Sequence, residues 1–187
     1  MSTALISSLG ICTAIASRFL MSSSGSDLLL TMRAILFLDF DGVLHPYREP
    51  ALDEGFRLLD NPRLFQWTPI LATVLAPYDI GIIISSDWRH IFDDETLKRL
   101  LGPLGQRFAG ISPSNIGIAR TRAKEILANA EELRLDRWLA LDDDPSLLLE
   151  IQRGDTRFVH CPRAEGVSSA VVQAVLKRRL ESIFSGL

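Results

Sequence analysis

Three short apolar runs constrain this chain more than any other feature of it. They lie within residues 33–38 (RAILFL), 79–86 (DIGIIISS) and 137–141 (RWLAL). None alternates polar and apolar residues, so none can be a strand with one wet face. A continuous apolar strand bounded by turn residues belongs to a parallel sheet covered on both sides. Each run also stops abruptly. The first ends in Asp39-Phe40-Asp41-Gly42, the second in Ser85-Ser86-Asp87 and the third in Asp142-Asp143-Asp144-Pro145. A fourth, weaker strand is read at 156–160.

Helical stretches separate these strands. Asn61 and Pro62 read as the N-cap and first position of a helix running to about residue 76, where Pro77 stops it. A second helix is read at 93–101, capped by an Asp of the DDET segment and ended by Gly102-Pro103. Residues 103–119 read as loops. Further helices are expected over 120–133, from Ser146, and over 168–184. The last has Val172, Leu176, Leu180 and Ile183 on one face and Lys177, Arg178 and Arg179 on a solvated one. Alternating strands and helices predict a three-layer α/β/α, Rossmann-like domain around a central parallel sheet.

With 187 residues, one such domain over 32–187 fills the chain. Residues 1–31 are rich in Ser and Thr, with Arg18 and Asp27 as their only charges. They read as a poorly ordered tail or as a start placed too early, Met32 standing just before the first strand. Their apolar stretch is too interrupted for a membrane span, and no Lys or Arg precedes it as in a secretory signal. The net charge of −3, without a Lys/Arg run, gives no electrostatic surface for nucleic acid or membrane. Cys12 and Cys161 stand far apart, which argues against a disulfide framework or a structural zinc and suits a reducing, cytoplasmic setting. Nothing implies an obligate protein partner.

In a parallel sheet the three polar strand ends share one edge, where such folds bind ligands. Four or five carboxylates gathered there repel one another unless a cation sits among them or some are protonated. Hard oxygen donors suit Mg²⁺, which retains waters and takes a substrate phosphate oxygen. Asp39 and Asp41, two residues apart, point the same way on a continuing strand. One carboxylate can attack phosphorus while the other moves a proton. Gly42 lets the chain turn and frees backbone N–H groups for a phosphate. A hydroxyl from Ser85 or Ser86 and a cation near residue 120 would hold the remaining phosphoryl oxygens. His45 could meet a leaving group or have no role, Arg89 could touch substrate or form a surface ion pair, and Trp67, Trp88 and Trp138 read as core.

These residues resemble a known family. FLDFDGVL (37–44) is similar to the first motif of the haloacid dehalogenase (HAD) superfamily, ISS (84–86) to its second, and LDD (141–143) to its fourth. The third normally supplies a helix-start Lys; here Arg122 stands at that position, with Lys124 as its rival. More narrowly, LDFDGVLHP, SSDWR and LALDDDP resemble small HAD domains related to bacterial RNA-repair proteins. The resemblance covers about residues 33–180. It implies a Mg²⁺-dependent phosphate monoester hydrolase with Asp39 as nucleophile and metal ligand, and Asp41 as general acid/base that binds metal through its carbonyl. Asp142 and Asp143 would complete the metal shell, Asp144 capping the next helix. Ser85 or Ser86, Arg122 or Lys124, and Gly42 would bind phosphate. Only a small flap, about 45–60, fits as a cap, so the expected substrate is a phosphorylated small molecule or nucleic-acid end. Phosphotransfer to another acceptor, and a non-catalytic binding domain, are the competing expectations.

Overall fold

A computed structural model of the protein describes residues 34–55, 57–113 and 121–185. The expectation for residues 1–31 lies outside them. Five strands form one sheet in the order β3-β2-β1-β4-β5: β1 (Ala34–Leu38), β2 (Ile80–Ile84), β3 (Phe108–Ile111), β4 (Trp138–Asp142) and β5 (Phe158–His160). Every neighbouring pair is parallel. The helices are α1 (Thr68–Leu75), α2 (Asp94–Leu100), α3 (Arg122–Glu132), α4 (Ser146–Gln152) and α5 (Ala170–Phe184), with short 3-10 turns at Asp87–His90, Gly102–Arg107 and Gly166–Ser168.

The two-residue period of the strands sorts their side chains into two cores. Leu36, Leu38, Ile82, Ile84, Leu139 and Leu141 pack on one face with residues of α1, α2 and α5, such as Leu71, Leu97 and Leu176. Ile35, Phe37, Ile83, Trp138 and Ala140 pack on the other with Ala123, Ile126 and Ala130 of α3 and Leu147 of α4. This is the three-layer architecture, and it explains why the strands read as unbroken apolar runs.

Two local expectations are corrected. Residues 61–67 form turns rather than the first part of a helix. Asn61 uses its side chain to accept the Arg63 amide, and Phe65 turns left-handed at φ 56°, so the helix starts only at Thr68 with Pro69 in its first turn. Within the stretch read as loops lies β3, an edge strand of four residues whose pairing with β2 shifts register between Ile82 and Ile83. Within residues 45–60, read as a small flap, Leu52 pairs antiparallel with Leu58. Among the described residues, no helix is long and apolar enough to cross a membrane.

Candidate active site

Register builds the site. Leu38 pairs with Ile84 on one side and Leu141 on the other, so the next residues, Asp39, Ser85 and Asp142, emerge level at the C-terminal edge. Backbone bonds continue the ladder there: Asp39 N–H donates to Leu141 O at 3.1 Å and Ser85 N–H to Leu38 O at 2.9 Å. After β3 the chain crosses to the far side of β1 to form β4, which makes the β1/β4 boundary the topological switch point, the usual ligand crevice of such sheets.

Asp39, Asp142 and Asp143 are all buried, and each offers a carboxylate oxygen within 4.8 Å of the others. Burial and the charge of Asp142 push the Asp39 carboxyl well above its ordinary range, against the opposing pull of Arg122 and the nearby Ser86 hydroxyl. Burial likewise pushes Asp142 up to about 7, opposed by Arg122 and by the Asp144 amide on its Oδ1 at 2.8 Å. Asp143 is raised by burial and tempered by Arg163. Beneath them, buried Cys161 donates its amide to Asp142 O, and its thiol is pushed up by burial and by all three acids. Such a cluster is favoured by a positive charge in its midst.

The unpaired atoms agree with this. Ser85 Oγ and Ser86 Oγ are buried without a hydrogen-bond partner, and Asp142 Oδ2 and Asp143 Oδ2 meet only guanidinium groups, those of Arg122 at 3.5 Å and Arg163 at 2.9 Å. Orphaned buried polar atoms are rare in folded proteins, and the two hydroxyls share one edge with the acids. All are oxygens, three acids lie within reach of one ion, and the hydroxyls stand beside them. The donor set fits a hard divalent cation with a phosphate next to it.

Two arginines line this edge. Arg122, at the start of α3 behind the Thr121 cap, donates from Nη1 to Ser85 O at 2.6 Å and to Glu125 Oε2 at 2.9 Å, and from Nη2 to Asp87 Oδ1 at 2.8 Å. Its Nε lies 3.5 Å from Asp142 Oδ2. Among the described residues, one Nη2 hydrogen is left over. Burial would lower its pKa, but Asp142, Asp39 and Asp87 outweigh that and raise it. Arg89, almost fully buried, donates to Ser85 O and to Glu125 Oε1, so Glu125 braces both guanidinium groups. Lys124 is exposed, its backbone amide bonded to Thr121 Oγ1, and it forms no ion pair with these acids.

Asp41 stands half-buried beside the cluster, its carboxylate held by Trp88 Nε1–H at 2.7 Å and by His45 Nε2 at 3.2 Å. Gly42 has φ 70°, and a Cβ there would run into the Asp143 carboxylate, so its first service is close packing. Asp144 accepts the Ser146 amide at 2.9 Å and its hydroxyl at 2.5 Å, the capping arrangement expected of it. At the rim, Arg163 lies 2.9 Å from Asp143 Oδ2 and stacks on Tyr47, 4.4 Å from the ring centre. Asp39, Asp142, Asp143, the Ser85 and Ser86 hydroxyls and Arg122 thus come together, Asp41 stands beside them, and Lys124 stands apart. Trp88 was read as core, Glu125 and Arg163 were not read as part of the site, and His45 and Arg89 were left between a substrate contact and none. Only their nearness to the three motifs could have pointed to them.

Comparison with known proteins adds the lineage. No curated protein and no solved structure matches the chain. Residues 35–172, well over half of the chain, match one family. They span all three acid- or hydroxyl-ended strands, from within β1 to the start of α5, and the chain therefore belongs to the family described as the HAD domain in Swiss Army Knife RNA repair proteins.

Proposed function

We propose that this domain hydrolyses phosphate monoesters through a phosphorylated Asp39, with Mg²⁺ held by Asp39, Asp142, Asp143 and the Asp41 carbonyl. The observation that carries this reading is the meeting of three buried carboxylates within 4.8 Å, next to orphaned hydroxyls and the Arg122 guanidinium. When bound, Mg²⁺ would supply the positive charge that lets an anionic carboxylate approach an anionic phosphoryl group.

The chain's own residues do the rest. An oxygen of Asp39 bonds to phosphorus as the ester P–O bond breaks, and the leaving oxygen takes a proton from the Asp41 carboxyl. Water then attacks phosphorus, giving its proton to Asp41, and the Asp39–phosphorus bond breaks to restore the carboxylate. The spare Nη2 hydrogen of Arg122, the hydroxyls of Ser85 and Ser86 and the backbone near Gly42 face the phosphoryl oxygens and stabilise their charge. The direct bonds of Arg122 to Asp87, Glu125 and Ser85 favour it over Lys124 as the phosphate-holding cation.

The test is phosphate release from an aryl phosphate with Mg²⁺. Asp39→Asn should lose at least about a thousandfold in rate, the scale of removing a nucleophile. Full activity in that variant would sink the reading. A nucleic-acid end is favoured as substrate by the family's description, which concerns RNA repair proteins. Faster release from a phosphorylated oligonucleotide than from the aryl ester, weakening steeply with salt, supports that substrate. Transfer to added alcohols in place of water identifies a phosphotransferase, and the absence of any heat of Mg²⁺ binding identifies a binding domain.

A further inference from the structure

Asp41 is gripped from behind by two rings. Trp88 Nε1–H donates to its Oδ2 at 2.7 Å, and His45 Nε2 lies 3.2 Å from its Oδ1. The other ring nitrogen of His45, Nδ1, faces the Phe65 amide at 3.4 Å. An amide N–H can only donate, so this contact makes Nδ1 the acceptor and puts the imidazole proton on Nε2, aimed at Asp41. Each carboxylate oxygen therefore receives one donor from a fixed ring. The rings themselves cannot swing. His45 is fully buried and Trp88 is 4% exposed. Phe65 packs edge-on to both at 5.0 and 5.3 Å, and Phe40 meets Trp88 at 5.8 Å.

We infer that His45 and Trp88 are positioning residues that hold Asp41 as the proton acceptor in the water-attack half of the reaction, an inference that rests on the phosphatase reading above. In that half the water oxygen bonds to phosphorus, the Asp39–phosphorus bond breaks with its electron pair returning to Asp39, and the water proton passes to Asp41. The two donors fix the plane of the carboxylate and occupy one lone pair on each oxygen. The remaining lone pairs are thereby directed at the water. Phosphorylation of Asp39 by an aryl ester makes no such demand, since a nitrophenolate departs without a proton.

Rapid mixing with 4-nitrophenyl phosphate and Mg²⁺ separates the two halves. In Trp88→Phe and His45→Phe, the first-turnover burst of nitrophenolate should stay within about threefold of wild type, while the steady rate falls at least about tenfold, the lower range for a general base. Intact-mass analysis should then find phosphorylated Asp39. His45→Gln, which keeps a donor N–H, should recover part of the steady rate. Trp88→Phe added to Asp41→Asn should cost nothing further, because it acts through Asp41. Equal losses of burst and steady rate, or an additive double variant, would overturn the inference. Independently, the Trp88 indole N–H resonance should move upfield in Asp41→Ala, and a resonance that does not move overturns the clamp itself. A wild type that releases no nitrophenolate overturns the phosphatase reading and with it this role, while the indole resonance still reports whether the clamp exists.

Discussion

Gly42 has almost no freedom to become anything else. Its φ of 70° lies where an L side chain is strained by roughly 1–2 kcal/mol, and the space a Cβ needs is filled by the Asp143 carboxylate. Gly42→Ala should lower Tm by roughly 2–4 °C for each kcal/mol lost and weaken Mg²⁺ binding by displacing Asp143. Thermal denaturation and titration calorimetry read the two effects. At this scale the sequence was most informative where a residue ends a strand. Asp39, Ser85, Ser86, Asp142 and Asp143 end their strands or follow them directly, so the sheet alone determines where they emerge. His45 and Trp88 reach Asp41 only through the paths of a turn and a 3-10 segment, which no local spacing encodes. The bond from Trp88 to Asp41 also shows why an indole in apolar sequence reads as core: its ring is core, and only its N–H belongs to the site.

Among the elements, α3 and the turn after β2 act as one piece. Arg122 and Glu125 come from the first turn of α3, Arg89 and Asp87 from the 3-10 turn, and the Ser85 carbonyl joins them. Two neighbouring guanidinium groups share one buried carboxylate. Glu125→Gln leaves both without that counter-charge, and breaking a buried pair costs roughly 3–5 kcal/mol. A reduced urea midpoint with an unchanged slope is the expected result, together with a raised KM as Arg122 loses its brace. Element type was legible from periodicity for β1, β2, β4 and α5. It was not for β3, whose four residues include Gly110 and sit at a sheet edge, where β propensity is weak and pairing decides. The early start read for α1 has a different cause. Asn-Pro serves an Asx turn as well as a helix N-terminus, and the left-handed Phe65 selects the turn.

For the whole molecule, the buried acids couple folding to pH. Asp142 titrates near 7 when folded and near the ordinary 3.8 when unfolded, so the folded state binds the proton more tightly. Its stabilising contribution is complete below about pH 4 and is lost as pH rises towards 7. With a chelator present, the urea midpoint should therefore fall more between pH 4.5 and pH 8 in wild type than in Asp142→Asn. Mg²⁺ at pH 8 should return stability to wild type by binding the folded state alone. An identical pH response in the two proteins would contradict the assignment of that carboxyl.

Of the seven buried side-chain atoms without hydrogen-bond partners among the described residues, five belong to Ser85, Ser86, Arg89, Asp142 and Asp143. With Thr68 Oγ1 and Arg179 Nε lying outside it, most of the unmet polar demand among the described residues thus gathers at one rim. Selection for heat resistance alone would replace those side chains first, each exchange hardening the protein while erasing its chemistry. A thermostable descendant that still works must find its added strength on the opposite rim, among residues such as Trp138, which opens β4, and Arg157, which precedes β5.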